Sequence, residues 1–207
     1  PIEYSFRDNK VTAIMGMQNK LYPFMRNVIF QLLTFHSYDE LKLVFLVDEN
    51  NVNQWKPFKD LPHCFSNDQT ARYFASTIDE MKIVSSYLER EFIKRATDEN
   101  GSEAIQMEKG TINYKPYYLI ITDCYTKVRK LNISNLIMET NANVGFGFII
   151  IENKIGKLPR QCLDFINLGE SVSETLKNNA EEYIVSEFKD EINDLVDYQK
   201  YCEILAN

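Results

Sequence analysis

Only four cysteines, two histidines, seven glycines and six prolines occur among 207 residues. Cys64, Cys124, Cys162 and Cys202 form no C-x-x-C pair, and His36 and His63 do not complete a zinc spacing with them. A disulfide-stapled or zinc-held scaffold is therefore excluded, and isolated thiols of this kind read as small buried hydrophobes in a reducing compartment. The scarcity of Gly and Pro excludes collagen-like chains. No apolar run approaches the roughly 20 residues that span a bilayer, since the most prominent one, GFGFIII at 145–151, is far shorter. The opening PIEYSF has neither the basic nor the apolar region of a secretory signal. Positive charge is also short: 23 basic against 30 acidic residues leave a net charge of −7. A duplex-binding protein usually carries a basic excess to neutralise phosphates, so nucleic acid is not expected as a direct ligand. These absences predict an acidic, soluble, intracellular domain.

What is present suffices for a large core. Hydrophobic residues make up 44% of the chain and charged residues 26%, ordinary values for a globular domain. A chain of this length buries roughly 70% of its unfolded surface, so residues 1–207 are expected to fold as one domain. Five runs, VTAIM (11–15), KLVFLV (42–47), YYLIIT (117–122), GFGFIII (145–151) and CLDFINL (162–168), are short, mostly unbroken and rich in Val, Ile, Phe and Tyr. Continuous runs of this type suit strands buried on both faces. RYFAS (72–76) is more polar, as an edge strand is.

Helical periodicity fills the intervals. From Tyr22 to Phe35, Phe24, Val28 and Leu32 form one row and Met25, Ile29 and Leu33 the next, which predicts a largely buried helix with Pro23 in its first turn. Thr77 and Glu80 have capping-box spacing at the start of a second helix, whose core stripe is Met81, Val84, Leu88 and Phe92. A third helix is expected from about 128 to 140. A last one is expected from about 190 to 205, and the acidic tail EEYIVSEFKDEINDLVDYQKYCEI reads mostly as a solvated helix face with an apolar stripe, or as a docking helix for a neighbouring domain. The polar stretch 96–111 is read as a long mobile loop. Strands alternating with helices predict an α/β fold: three layers, with a mostly parallel sheet flanked by helices and ligands at the strands' carboxyl ends.

Two strand ends carry candidate chemistry. VTAIMG followed by MQNKLYPF has the strand–turn–helix order of a phosphate loop, G-x-x-x-x-G-K-[ST]. With Gly16 as the first glycine, Leu21, Tyr22 and Pro23 stand where Gly, Lys and Ser/Thr belong. Either Asn19 and Lys20 substitute in a remodelled nucleotide site, or, the preferred reading, the phosphate chemistry is lost. YYLIITDC ends in Asp123, resembling a Walker-B strand whose acid holds the Mg²⁺ shell. The next residue is Cys124, and a thiol cannot serve as the base that orients water. The pair of strands suggests the frame of a P-loop ATPase without its chemistry. His36 at the end of an apolar helix reads as a capping residue, and no nucleophile-elbow pattern supports Ser-His-Asp chemistry. Gly145 and Gly147 inside a strand run indicate close packing or a bulge. Trp55, Pro62 and His63 mark either a partner surface, since Trp is a favoured interface anchor, or a loop pinned by one buried Trp.

The segment from KLVFLVD (Asp48) through Trp55 and Leu61-Pro62-His63 to Arg72-Tyr73-Phe74-Ala75-Ser76 and Asp79-Glu80 resembles the membrane-anchored FtsK/SpoIIIE-type ATPases of type VII secretion systems, the EssC/EccC family. VTAIMG, Arg26 and FHSYDELKLVFLVD fit the same pattern over about residues 10–95, and the second half fits by architecture. The resemblance implies a RecA-like fold that has lost its Walker residues, most similar to the first cytoplasmic, degenerate ATPase-like domain of a larger membrane protein. It implies a non-catalytic module at the cytoplasmic face of a bacterial membrane, taking part in ATP-driven export of WXG100-type substrates. Its partners would be neighbouring ATPase domains and membrane components, in a ring for the full-length protein. No cofactor is expected for this domain, with ATP and Mg²⁺ acting elsewhere in the parent. The alternatives are a regulatory domain that holds ATP through Asn19, Lys20 and Asp123 without hydrolysing it, and a DNA translocase module.

Overall fold

The computed structural model describes residues 3–97, 104–106, 112–179, 182–189 and 197–206. In chain order the elements are β1 (Val11–Gly16), α1 (Gln18–Phe35), β2 (Leu41–Leu46), α2 (Val52–Trp55), β3 (Phe74–Ala75), α3 (Ile78–Thr97), β4 (Ala104–Gln106), β5 (Ile112–Tyr114), β6 (Tyr117–Thr122), α4 (Tyr125–Val128), α5 (Asn132–Glu139), β7 (Phe146–Ile151), β8 (Asp164–Leu168), β9 (Ser173–Asn179), β10 (Glu182–Phe188) and α6 (Tyr198–Ala206). Eight strands form one sheet in the order β10-β9-β8-β1-β7-β6-β2-β3, and β4 pairs with β5 separately. From β8 to β3 every pairing is parallel, while β8-β9 and β9-β10 are antiparallel.

The unbroken apolar runs form the strands they predict because each is covered twice. β2, β6 and β7 are buried along their whole length. One face packs on α3, α4 and α5 through Met81, Leu88, Val128 and Ile133. The other packs on α1 through Leu21, Met25 and Ile29, on Trp55, Phe58 and Leu61, and on Cys202 of α6. The parallel three-layer prediction is met, with β3 at the sheet's edge.

The capping box forms as expected. Glu80 Oε2 accepts from the amides of Ser76 (2.9 Å) and Thr77 (3.1 Å), and the Glu80 amide donates to Thr77 Oγ1 at 3.4 Å. At the far end of α3, Arg95 is buried. Its Nε donates to Glu91 at 2.7 Å, and its guanidinium lies over the rings of Tyr114, Tyr118 and Phe146. Gly145 and Gly147 do mark close approach: a Cβ would stand 2.5 Å from Arg95 Nη1 at the first and 2.5 Å from the Tyr117 hydroxyl at the second.

Four expectations need correction. The first helix starts at Gln18, four residues early, so Pro23 lies inside it and not in its first turn. Proline has no N–H, and the Asn19 carbonyl loses its usual i+4 donor. The third helix divides into α4 and α5, because Leu131 between them is extended. The acidic approach to the last helix is strand, not helix: Tyr183-Ile184-Val185 suit a pleated ribbon, and β10 pairs with β9 along its length. Within 96–111, residues 96–97 end α3 and 104–106 form β4, while 98–103 and 107–111 lie outside the described residues. So do 190–196, where the last helix was expected to begin.

Candidate functional site

Strand β1 passes into α1 through a single residue, Met17. Gly16 allows this sharp entry. Its φ is +132°, and a Cβ there would lie 2.4 Å from the Leu168 carbonyl oxygen of β8. The Gly16 amide donates to Asn153 Oδ1 at 3.2 Å. A phosphate loop needs several consecutive backbone amides curved around the anion, and one connecting residue supplies no such curve.

Lys20 and Asp123 do not meet. The Lys20 amine donates to the carbonyls of Gly169 (2.7 Å) and Glu170 (2.9 Å), just beyond β8. Asp123 follows β6. With β1 and β7 lying between those strands, a strand spacing near 4.8 Å separates the two positions by about 14 Å. Asn19 faces solvent on the first turn of α1. The four residues Gly16, Asn19, Lys20 and Asp123 thus share the carboxyl side of the sheet without converging.

Asp123 is occupied by the protein itself. Its Oδ1 accepts from the Asp48 amide at 2.7 Å, and its Oδ2 accepts from Trp55 Nε1 at 3.0 Å and from the Tyr22 hydroxyl at 3.2 Å. Tyr22 stands at the position a phosphate-binding lysine would take, and here it ties α1 to the end of β6. Burial, then the Asp123 carboxylate, raises the Tyr22 phenol well above its ordinary value, so it stays a donor. Beside it, Asp48 Oδ1 caps the Asn50 amide (3.0 Å) and Oδ2 accepts from Lys127 Nζ at 2.9 Å. The hydrogen bond from Lys127 holds the Asp48 carboxyl below the usual range. Cys124 turns into the core. Its amide donates to Thr122 Oγ1 (3.1 Å), its thiol faces the Leu46 carbonyl (3.6 Å), and burial raises the thiol to about 11.

The structure gives Trp55 and His63 interior places in this chain. Trp55 is 1% exposed, with its ring edge-on to Tyr22 and tilted against Phe45. This is the pinned-loop arrangement: the indole fills the core, and its N–H reaches the strand-end carboxylate. His63 is 7% exposed, and its Nε2 donates to the His36 carbonyl at 3.0 Å. Pro62 is half-buried and turns its carbonyl toward Lys42 Nζ at 3.5 Å. Sequence reasoning missed Tyr22 and Lys127 as partners of the two aspartates. No local pattern announces a contact between α1 and β6.

No family model matches the chain. Among curated proteins it is 23% identical over 198 residues to the type VII secretion system protein EssC of Staphylococcus aureus (strain NCTC 8325 / PS 47), covering 94% of this chain and 13% of that protein. The chain therefore spans about one eighth of that relative's length. Among solved structures it superposes on EssC (ATPases 2 and 3) from Geobacillus thermodenitrificans with a TM-score of 0.66 at 14% identity, covering 96% of this chain and 44% of the other. The cytoplasmic domain of the type VII secretion ATPase EccC from Thermomonospora curvata gives a TM-score of 0.61 at 10% identity, covering 92% and 25%. The fold is thus the RecA-like α/β arrangement of those ATPase domains. Along nearly its whole sequence, then, this chain is similar to the type VII secretion protein EssC, and its fold is that of EssC and EccC ATPase domains.

Proposed function

We propose that the chain acts as a non-catalytic ATPase-like module of a type VII secretion motor. In this reading it is the first such module of a membrane-anchored parent, couples the membrane part to later ATPase domains, and serves the export of WXG100-type substrates. The single observation that carries the non-catalytic part is the one-residue passage from β1 to α1. Catalysis of phosphoryl transfer is mostly positioning and charge stabilisation, and this passage leaves no backbone to position a triphosphate. Lys20 and Asp123 support the same reading, because each is engaged by protein groups at a different strand end. Similarity to EssC along the chain and an intact ATPase frame support the coupling role.

Calorimetric titration with Mg-ATP, run beside a turnover assay, is the direct test. A flat trace and no turnover are the expected results. Micromolar binding abolished by Lys20→Ala would instead establish a nucleotide-holding regulatory domain. Turnover abolished by Asp123→Ala would overturn the non-catalytic reading altogether.

A further inference from the structure

Among the described residues, the antiparallel end of the sheet is packed, in part, on one side. Strands β8, β9 and β10 place Ile166, Leu168 and Phe188 against the α1 side of the core. Their other face bears Phe165, Leu176 and Val185, which stand directly opposite one another in the ladder. Tyr183 lies one pleat further along the same face, its ring 6.1 Å from that of Phe165. With Met15 and Ile155, the side chains of Phe165, Leu176 and Tyr183 line an open cleft of about 650 Å³, and Val185 stands beside it. Val185 is 51% exposed and Tyr183 47%. Helices α3, α4 and α5 cover this side of the sheet over its parallel strands, and among the described residues no element covers this end.

The polar end of the cleft is specific in sign. Glu174 lines it, and the register places Glu187 directly across from Glu174, on the same face. Like charges directly opposite in a ladder repel and destabilise the pair. Among the described residues neither carboxylate has a hydrogen-bond or ion-pair partner. An apolar strip ending in two adjacent, uncompensated carboxylates is complementary to apolar side chains next to a cation. A second copy of this chain does not supply that, because a symmetric apposition would bring four carboxylates together.

We propose that this face is a docking surface for a protein segment whose apolar side chains lie on Phe165, Leu176, Tyr183 and Val185 and whose Lys or Arg sits between Glu174 and Glu187. A guanidinium there would form charge-assisted bonds to both carboxylates and remove their repulsion. The occupant is identified by that chemistry, apolar residues neighbouring a basic one, and the inference is independent of whether nucleotide binds.

The experiment is selection of a random dodecapeptide display library against the purified chain, followed by titration of enriched peptides into the wild type and the Glu174→Gln/Glu187→Gln double variant. Enriched sequences are expected to join Leu, Ile, Val or aromatic residues to Lys or Arg. They should bind at least about tenfold more weakly to the double variant. The double variant is expected to melt no lower than wild type, since it loses a repulsive pair, which separates lost binding from lost fold. Failure to enrich, enrichment without basic residues, or equal binding to both proteins overturns the proposal. So does a concentration-dependent dimer in sedimentation that Val185→Asp dissolves, because it assigns the face to a second copy.

Discussion

The indole of Trp55 donates to the carboxylate of Asp123 at 3.0 Å, joining the loop after β2 to the end of β6. The acid that follows β6 is thereby a structural hub, with three donors from three segments converging on it. Asp123→Ala would leave the Trp55 N–H, the Tyr22 hydroxyl and the Asp48 amide without their acceptor. A loss of about 3 kcal/mol is expected, read as a lower urea midpoint with an unchanged slope. Were Asp123 a metal ligand held apart from the fold, the variant would match wild-type stability in the absence of Mg²⁺.

Gly16→Ala tests the tight entry to α1. The φ of +132° and the 2.4 Å approach to Leu168 leave no space for a methyl group, so β1 and β8 must separate or the backbone must rotate. The expected cost is at least about 2 kcal/mol. Thermal melting reads it, and an unchanged midpoint would refute the close approach.

His63 makes stability fall in mild acid. Burial is the main cause holding its folded pKa below the ordinary value, and its Nδ1 is buried without a partner among the described residues. The unfolded chain therefore binds a proton on this ring at higher pH than the folded one, and unfolding gains as pH drops below about 6.5. The stability difference between wild type and His63→Gln should shrink in favour of the variant from pH 7 to pH 5. The lowered carboxylates Asp48 and Glu80 lose their contributions at lower pH, below about 4.5, and cancel in the difference. A difference independent of pH would show that the ring does not titrate on unfolding.

All four cysteines are free and buried. Burial raises Cys124 and Cys202 to about 11 and Cys162 to about 12, and Cys64 further still. Because the thiolate is the reactive form, an aromatic disulfide reagent at pH 8 should label essentially no thiol in the folded chain and all four in denaturant. Rapid labelling of Cys124 before unfolding would mean that the end of β6 opens to solvent.

Local pattern carried most of the parallel core. Val11–Gly16, Leu41–Leu46, Tyr117–Thr122 and Phe146–Ile151 are strands because unbroken apolar runs must be covered on both faces. Thr77 and Glu80 were legible because a capping box is closed within four residues. The start of α1 was not legible. Pro23 reads locally as a first-turn residue, but burial of Leu21 beside Met25 and Ile29 extends the helix back to Gln18. The ribbon β9-β10 was missed for the same reason: its acidic, mixed sequence becomes strand only by pairing with β8.

The residue types by themselves determined that the G-x-x-x-x-G-K-[ST] pattern is not met after Gly16, since Leu21, Tyr22 and Pro23 lack the glycine, amine and hydroxyl it requires. Only the tertiary structure decided what those positions do instead. Tyr22 reaches across to Asp123, Lys20 turns the other way to the carbonyls after β8, and Trp55 goes inward. The reason is physical: the chemistry of a side chain is written in its own atoms, whereas its partner is set by strand order, which brings together residues about a hundred positions apart.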